Sequence, residues 1–177
     1  YALAESLLEV LKQEQSYGFS PPKSKEKIIV EYVSANPTGD LHLGHGRQAA
    51  IGSCLVNLLD KAGFDVKSEF YINDYGEQIQ KLSETAWAIY EKSQGKNIEW
   101  KEGFYPEEYI KPYVNKVLEQ KSSELTKENV GNLVKDSILK SQKELLSSFK
   151  VDFDKWFSET DLHISNATKD TLKKLNF

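Results

Sequence analysis

Two histidines, His42 and His45, are the residues of this sequence best suited to chemistry. Residues three apart share one face of a helix, so both imidazoles would project from the same side of a first turn. Gly44 lies between them without a side chain, which lets a flat base or a phosphate approach the backbone. Imidazole N–H groups donate to phosphate oxygens, and a protonated ring adds positive charge. The pattern therefore fits a site for a nucleotide phosphate, and by itself it fits two partly exposed histidines at a helix start equally well.

The elements on either side of this motif place it where open α/β sheets bind ligands. Residues 28–33 are β-branched and nearly all apolar, which predicts a buried strand. A loop containing proline and glycine follows, and a helix is expected over residues 41–62. The unpaired N–H groups and the positive dipole end at the start of such a helix favour an anion. Residues 66–72 are typical of a second strand, so the segment predicts a βαβ unit.

The remainder of the chain is predicted to be mostly helical, which makes the fold class α/β with half of a doubly wound sheet and a helical insertion. Asp40 is expected to cap the helix over 41–62, and the apolar stripe of that helix is Ile51, Leu55, Leu58, Leu59 and Ala62. A helix is predicted over 1–15, another begins with Asp74 and Glu77 as caps, and a third opens at Pro106 and is kinked or interrupted at Pro112. A long helix is predicted over 127–149, with the apolar stripe Val130, Val134, Ile138, Leu145 and Phe149. A short strand within 151–157 and a last helix capped by Asn166 complete the chain.

The amino-acid composition limits the classes of protein to which this chain can belong. Of the 177 residues, 39% are hydrophobic and 28% are charged, which is typical of a globular chain and excludes a wholly disordered one. No apolar run approaches the roughly 18 residues of a membrane span. The single cysteine, Cys54, fits a reducing cytosol, and the net charge of −4 argues against a whole-surface nucleic-acid binder. Because the sequence starts with Tyr1 and contains no methionine, we expect it to be a piece of a longer protein.

Several candidate residues keep two interpretations at this point. A metal site at the two histidines would need a third ligand, and Cys54 and His163 are distant in sequence, so no metal site is expected. Glu31 interrupts an apolar strand, and either a cationic substrate or a lysine or arginine of the protein could neutralise it. Asn36 before proline fits an ordinary turn as well as a binding role. Asn73-Asp74 is most simply a helix cap.

The motif and its flanks carry a resemblance to a known family. His42-Leu43-Gly44-His45 resembles the HIGH signature of class I aminoacyl-tRNA synthetases. The stretch 34–39, with Gly46-Arg47 after the signature, is similar to arginyl-tRNA synthetases in particular. Residues 71–79, 103–105, 108–110 and 151–159 resemble the bacterial form of that enzyme. The resemblance covers about residues 1–175 and is weakest at 93–101 and 119–130.

The resemblance implies a Rossmann-like nucleotide-binding fold, of which this chain would hold the first half. Residues 1–24 would be the end of an N-terminal domain or a linker. Residues 25–92 would be the first half of the catalytic domain with the HIGH motif, and residues 93–177 a helical insertion that returns toward that domain. The implied activity is that of an arginine–tRNA ligase of protein synthesis. It activates L-arginine with ATP and transfers it to tRNA(Arg). Magnesium is expected with ATP, and the full-length enzyme is expected to be a cytoplasmic monomer without a membrane partner.

By the same resemblance, His42 and His45 would be catalytic, and His42, Gly44 and His45 would bind the phosphates and adenine of ATP. The residues expected at the arginine site are Glu31, Ser34, Ala35, Asn36 and His45. The whole HIGH region would comprise Ala35, Asn36, Pro37, Thr38, Gly39, Asp40, Leu41, His42, Leu43, Gly44 and His45.

The second class I signature, a lysine-rich KMSKS-like loop, is not found in the sequence, because Lys23-Ser24-Lys25 precedes the first strand. We therefore expect the 177 residues by themselves to have little or no activity. Two alternatives remain at this point. The chain could belong to another HxGH nucleotidyl transferase, such as a different class I synthetase, or it could be a catalytically silent domain that binds a nucleotide or a partner.

Overall fold

A computed structural model describes residues 2–20, 27–120 and 125–175, and these ranges form a mixed α/β structure. In chain order the elements are α1 (Ala2–Gln13), a short 3-10 turn (Glu14–Ser16), β1 (Lys27–Glu31), α2 (Leu43–Lys61), β2 (Asp65–Ile72), α3 (Glu77–Ser93), α4 (Glu107–Gln120), α5 (Lys127–Ser148), β3 (Lys155–Ser158), α6 (Glu159–Ile164) and α7 (Ala167–Lys174). The predicted βαβ unit and the mainly helical segment after it are confirmed. Lys23-Ser24-Lys25 lies outside the described residues.

The three strands form a parallel sheet in the order β1-β2-β3. Ile29 of β1 pairs with Lys67 of β2, and Phe70 of β2 pairs with Trp156 of β3. The strand expected within 151–157 is therefore real, although it begins only at Lys155. The prediction that β1 is buried is wrong, because β1 lies at an edge of the described sheet and Ile29 is 66% exposed. The buried strand is β2, which has a neighbour on each side.

Small residues, and not the expected apolar stripe, bring α2 onto the sheet. The only buried residues of α2 are Ala49 and Gly52, while Ile51, Leu55 and Leu58 are exposed. A Cβ atom at Gly52 would lie 2.2 Å from the ring of Tyr32, just after β1. Glycine thus permits the close approach between α2 and the end of β1.

Helices α3, α4 and α5 pack around their own apolar core, and we call them the helical unit. Residues of this core include Leu82 and Ile89 from α3, Ile110 and Val114 from α4, and Val134 and Ile138 from α5. A second cluster, the sheet core, consists of Val33, Ala35, Ala49, Phe70, Ile72, Leu146 and Val151. None of the helices in the described ranges is both long and apolar enough to cross a bilayer.

Helix α5 joins these two cores. Val134, Ile138, Gln142 and Leu146 follow one another at intervals of four residues and therefore lie on one face. The first two belong to the core of the helical unit, and Leu146 belongs to the sheet core. The predicted stripe was wrong at its end, because Leu145 and Phe149 are exposed.

Three expectations about helix ends and breaks differ from the structure. Helix α3 has Gly76 at its N-cap, with no side-chain cap bond, so Asp74 does not cap it. Helix α4 continues through Pro112, which was expected to kink or interrupt it. Asn166 stands at the N-cap of α7 as predicted, but it adopts a left-handed conformation and its side chain makes no cap bond.

Replacing Gly131 with alanine is expected to lower the free energy of unfolding by about 1–3 kcal/mol, the usual cost of overpacking. A Cβ atom there would lie 1.8 Å from Oγ and 2.8 Å from Cα of Ser83, so α3 and α5 would have to separate. Urea unfolding measures the change. The matched control is Asn132→Ala on the exposed side of the same turn, and equal stability of the two variants would contradict the packing argument.

Candidate active site

The predicted site residues lie at the end of the sheet where its strands have their carboxyl ends, between the end of β1 and the start of α2. Glu31 is the last residue of β1, and α2 begins at Leu43. The side chain of Glu31 is exposed, so the premise that it is a buried carboxylate in need of a neutralising partner is wrong. An exposed carboxylate at a strand end remains available to a ligand.

The chain leaves β1 through two residues with left-handed backbone. Val33 has φ 66° and Ser34 has φ 38°, which is rare for a β-branched residue such as valine. The turn is held by the Ser34 N–H, which donates to the Tyr32 carbonyl at 2.9 Å, and by the Tyr71 N–H, which donates to Oγ of Ser34 at 3.0 Å. The Ser34 hydroxyl thus accepts a bond from β2 and can donate its own hydrogen elsewhere.

The next residues alternate between the protein interior and the surface. Ala35 and Pro37 are buried, whereas the side chain of Asn36 is exposed. Ala35 could therefore contact a ligand only through its backbone, while Asn36 can present its amide. Asp40 does not cap α2 as expected, because it accepts a hydrogen bond from the hydroxyl of Tyr113 on α4.

His42 and His45 form a reciprocal cap at the start of α2. His42 is the N-cap residue, and its Nδ1 accepts from the Gly44 N–H at 3.1 Å. Nδ1 of His45 accepts from the His42 N–H at 3.2 Å. The two rings stack with centroids 3.8 Å apart. Since both Nδ1 atoms act as acceptors, each neutral ring carries its proton on Nε2, where it can donate to an anion at the helix start.

The electrostatics of the cap favour a neutral His45. Burial lowers the pKa of His45 below the ordinary value of 6.5, and the neighbouring His42 lowers it further. Protonation of Nδ1 would also remove the acceptor for the His42 N–H. His45 is therefore neutral near pH 7, and its contribution to anion binding is a hydrogen bond and not a full charge.

NMR titration of the histidine side chains should give His45 a pKa below 6.5 and the Nε2–H tautomer. Because the folded pKa lies below the unfolded one, the unfolded state binds more protons between the two values. Stability is therefore lost as the pH falls below about 6.5 and through the folded pKa. His45→Asn should lack this part of the pH dependence. A pKa of His45 above 6.5 would contradict the cap geometry.

Three carboxylates act on Tyr71 near the end of β2. The pKa of Tyr71 is raised first by burial and then by Glu159, with smaller contributions from Asp74 and Glu31. Asp74 is already paired with Lys135 at 3.8 Å. The exposed Glu31 is therefore the carboxylate of this group best placed to meet a cationic ligand.

Asp74 ties the loop after β2 to β3, α5 and α6, a role that the cap interpretation missed. Its carboxylate accepts from the Ser158 hydroxyl at 2.7 Å and from the Thr160 N–H at 2.9 Å, and Lys135 lies 3.8 Å away. Burial would raise the pKa of Asp74, but these donors and the lysine lower it below the ordinary value. No sequence signal identifies this role, because the partners are 61 to 86 positions away.

Two cavities lie beside α2 and each is lined by some of the predicted residues, whereas Asn36, Gly44 and His45 line neither. One, of about 430 Å³, is lined by Glu31, Ser34 and Gln48 among others. The other, of about 610 Å³, is lined by His42 and Arg47 and by apolar side chains of α5. In the three described ranges, no three His, Cys, Asp or Glu side chains lie close enough together to hold a metal ion.

Comparison with known proteins decides the family. A family model described as tRNA synthetases class I (R), catalytic domain, matches residues 6–168. The chain belongs to this family. The prediction of the arginyl-tRNA synthetase family, drawn from the HIGH-like motif and its flanks, is confirmed, and so is the Rossmann-like α/β class.

Curated relatives and solved structures agree with this assignment. The arginine–tRNA ligase of Gloeobacter violaceus is 39% identical over 176 residues, which cover 98% of this chain and 29% of that protein. The arginine–tRNA ligase of Staphylococcus carnosus is 39% identical over 178 residues, 93% of this chain and 31% of its own. A putative arginyl-tRNA synthetase from Campylobacter jejuni superposes with a TM-score of 0.77 at 32% identity, covering 94% of this chain and 38% of that one. The chain thus spans about a third of the length of these synthetases.

Proposed function

We propose that the protein carrying this chain activates L-arginine with ATP and transfers it to tRNA(Arg). The observation that carries the proposal is the reciprocal cap of His42 and His45, which stands at the strand-to-helix junction of a chain in the arginyl-tRNA synthetase family. Activation joins the arginine carboxylate to the α-phosphate of ATP and releases pyrophosphate. The tRNA hydroxyl then attacks the activated carbonyl and releases AMP. These steps need positioning and charge neutralisation more than a covalent nucleophile.

The ATP side of the proposed site is the start of α2. The geometry leaves Nε2–H of His42 and of His45 available to phosphate oxygens, next to the positive end of the helix dipole. A Cβ atom at Gly44 would lie 2.9 Å from the ring of His42. Glycine therefore allows the cap to form and the nucleotide to approach the backbone. We assign His42, Gly44 and His45 to ATP and regard the two histidines as catalytic.

The arginine side of the proposed site is the end of β1. The carboxylate of Glu31 is exposed there, which supports its pairing with the cationic substrate. Asn36 presents its amide, and Ser34 has a hydroxyl hydrogen to donate, so both suit the α-amino and carboxylate groups of the amino acid. Ala35 would contribute through its backbone, and His45 would reach both substrates.

The remaining assignments are proposals of the same kind. Magnesium would arrive with ATP and be held by phosphate oxygens. The names of the family and of the relatives support tRNA(Arg) as partner. The cytoplasmic location and the monomeric full-length state stay predictions. The boundaries at residues 24 and 92, and the low activity of the 177 residues alone, stay predictions.

Amino-acid-dependent ATP–pyrophosphate exchange by the full-length protein, with cognate tRNA present, tests the proposal. We expect exchange with L-arginine only. Lysine keeps the positive charge without the guanidinium, and citrulline keeps the shape without the charge, so the two compounds separate these requirements. Exchange with a different amino acid would overturn the specificity. ATP binding without exchange for any amino acid would indicate a silent nucleotide-binding domain.

A further inference from the structure

A buried glutamine of α5 contacts the loop that leads to the two histidines. Gln142 is 1% exposed. Its Nε2 donates to the carbonyl of Gly39 at 2.8 Å and to the carbonyl of Asn36 at 3.2 Å. One side-chain amide therefore closes both ends of the turn over residues 36–39, and neither carbonyl belongs to a strand or a helix.

The geometry explains why an amide, and not an apolar side chain, occupies this position. The turn offers two carbonyls toward α5, and the amide nitrogen of glutamine has two hydrogens to donate. The other end of the amide is not matched in this way, since Oε1 of Gln142 is buried and has no hydrogen-bond partner among the residues that the structure describes. A buried acceptor without a partner costs stability. The amide nitrogen of Gln142 thus stabilises the loop, while the unpaired amide oxygen lowers the stability gained by packing α5.

A second bond from the helical unit holds the same loop one residue later. The hydroxyl of Tyr113 on α4 donates to the carboxylate of Asp40. Burial raises the pKa of Tyr113, and the bond to Asp40 raises it further, so the hydroxyl keeps its proton at neutral pH. Two helices of one packed unit therefore fix residues 36–40, and His42 begins its cap only two residues beyond.

We propose that Gln142 and Tyr113 are positioning residues. Through them the helical unit fixes the position of the loop 36–40, and thereby the orientation of Asn36 and of the His42–His45 cap. The proposal rests on the proposed function for its kinetic consequence. It assigns α4 and α5 a part in the reaction although neither residue touches a reacting atom. Gln142 makes this contact at the point where α5 passes from one core to the other, since it lies between Ile138 of the helical unit's core and Leu146 of the sheet core.

Two Gln142 variants and one control in the full-length protein test this role. Gln142→Leu removes both donors, and Gln142→Glu keeps the shape but turns a carboxylate toward the two carbonyls. Val134→Ala lowers the stability of the same helix at a buried position two turns away from the loop contact. Hydrogen exchange of the amides in residues 34–42 reports on the loop, and kcat and KM for ATP in arginine-dependent exchange report on the reaction.

Both Gln142 variants should speed hydrogen exchange in residues 34–42 and lower kcat/KM by about tenfold or more, as misplacement of a binding loop does. Val134→Ala should change both readouts by no more than about twofold at a temperature where all variants are folded. Similar effects of the three variants would reduce Gln142 to a stability residue and overturn the proposal. Faster loop exchange with unchanged kcat/KM would overturn it as well.

Failure of the proposed function gives a different pattern of results. The wild-type protein would then show no arginine-dependent exchange, while the loop could still be examined because hydrogen exchange needs no substrate. Selective acceleration in the Gln142 variants would then support the fixing of the loop by α5, and rates equal to those of Val134→Ala would overturn it.

Discussion

Replacing His45 with alanine in the full-length protein is expected to lower kcat/KM for arginine-dependent pyrophosphate exchange by about 10²–10³-fold. This corresponds to about 2.7–4 kcal/mol of transition-state stabilisation, the scale for one preorganised donor. The substitution removes the Nε2–H that we propose donates to the phosphates, and it removes the Nδ1 that accepts from the His42 N–H. The loss of the His45 ring also removes the surface on which the ring of His42 stacks at 3.8 Å, although the bond from the Gly44 N–H to His42 remains.

The matched control for this experiment is Asn57→Ala, which shortens an exposed polar side chain on the same helix. It should leave kcat/KM within about twofold, because surface changes away from a site have small effects. The free energy of unfolding should be measured for both variants, since loss of an N-cap costs only about 0.5–2 kcal/mol. An unchanged kcat/KM in His45→Ala would refute the assigned role.

The largest loss of stability is expected for Asp74→Ala, which should lower the free energy of unfolding by about 3–5 kcal/mol. The side chain of Asp74 is 8% exposed and that of Lys135 is 15% exposed. Removing the carboxylate leaves the mostly buried ammonium of Lys135 with only the exposed Asp136 as its partner, and it leaves the Ser158 hydroxyl and the Thr160 N–H without their acceptor. Urea unfolding of this variant beside the wild-type protein measures the change.

Asp136→Ala is the control for this prediction, because Asp136 is the exposed partner of the same lysine at 3.7 Å. The substitution of Asp136 should lower the free energy of unfolding by less than about 1 kcal/mol, because exposed ion pairs contribute little to stability. The pH dependence provides a second test. Because the folded pKa of Asp74 is lowered, its stabilisation is present above the unfolded pKa and is lost as the pH falls through the folded value. If Asp74→Ala and Asp136→Ala lowered the free energy of unfolding equally, the stabilising role assigned to the buried Asp74 carboxylate would be contradicted.

The sequence was sufficient for those parts of the fold that depend on neighbouring residues. Hydrophobic periodicity predicted α2, α3 and α5, and the β-branched run before the HIGH-like motif predicted β1. The parallel pairing follows from the helix between two strands. The same reasoning placed His42 and His45 at a strand-to-helix junction, where the structure finds them.

Burial was harder to predict, because it depends on which element covers a surface. The apolar stripe of α2 is a regular pattern, yet Ile51 and Leu58 are exposed and Gly52 is buried. Likewise β1 reads as a central strand but forms an edge of the described sheet. A period of hydrophobic residues identifies an amphipathic face but not its partner.

The hydrogen bonds that Asp40 and Asp74 make near the site were not predicted, for a similar reason. Asp40 and Asp74 both precede helices and so fit the rule for N-caps. Their partners, Tyr113 and Ser158, lie 73 and 84 positions away. Gln142 did leave a signal, because it is a polar residue in an otherwise apolar series of α5 at intervals of four. A buried polar position of this kind is a reason to look for backbone groups that need a partner.

The left-handed backbone at Val33 and Ser34 ties the site to the assembly of the sheet. A left-handed conformation costs roughly 1–2 kcal/mol for an L-residue, and within the loop only the bond from the Ser34 N–H to the Tyr32 carbonyl offsets that cost. In the folded chain the Tyr71 N–H of the neighbouring strand supplies a second bond, to Oγ of Ser34. The shape of the loop after β1 is therefore only partly encoded locally. Its second bond exists only where β1 lies beside β2, so the order of the loop depends on the assembly of the sheet.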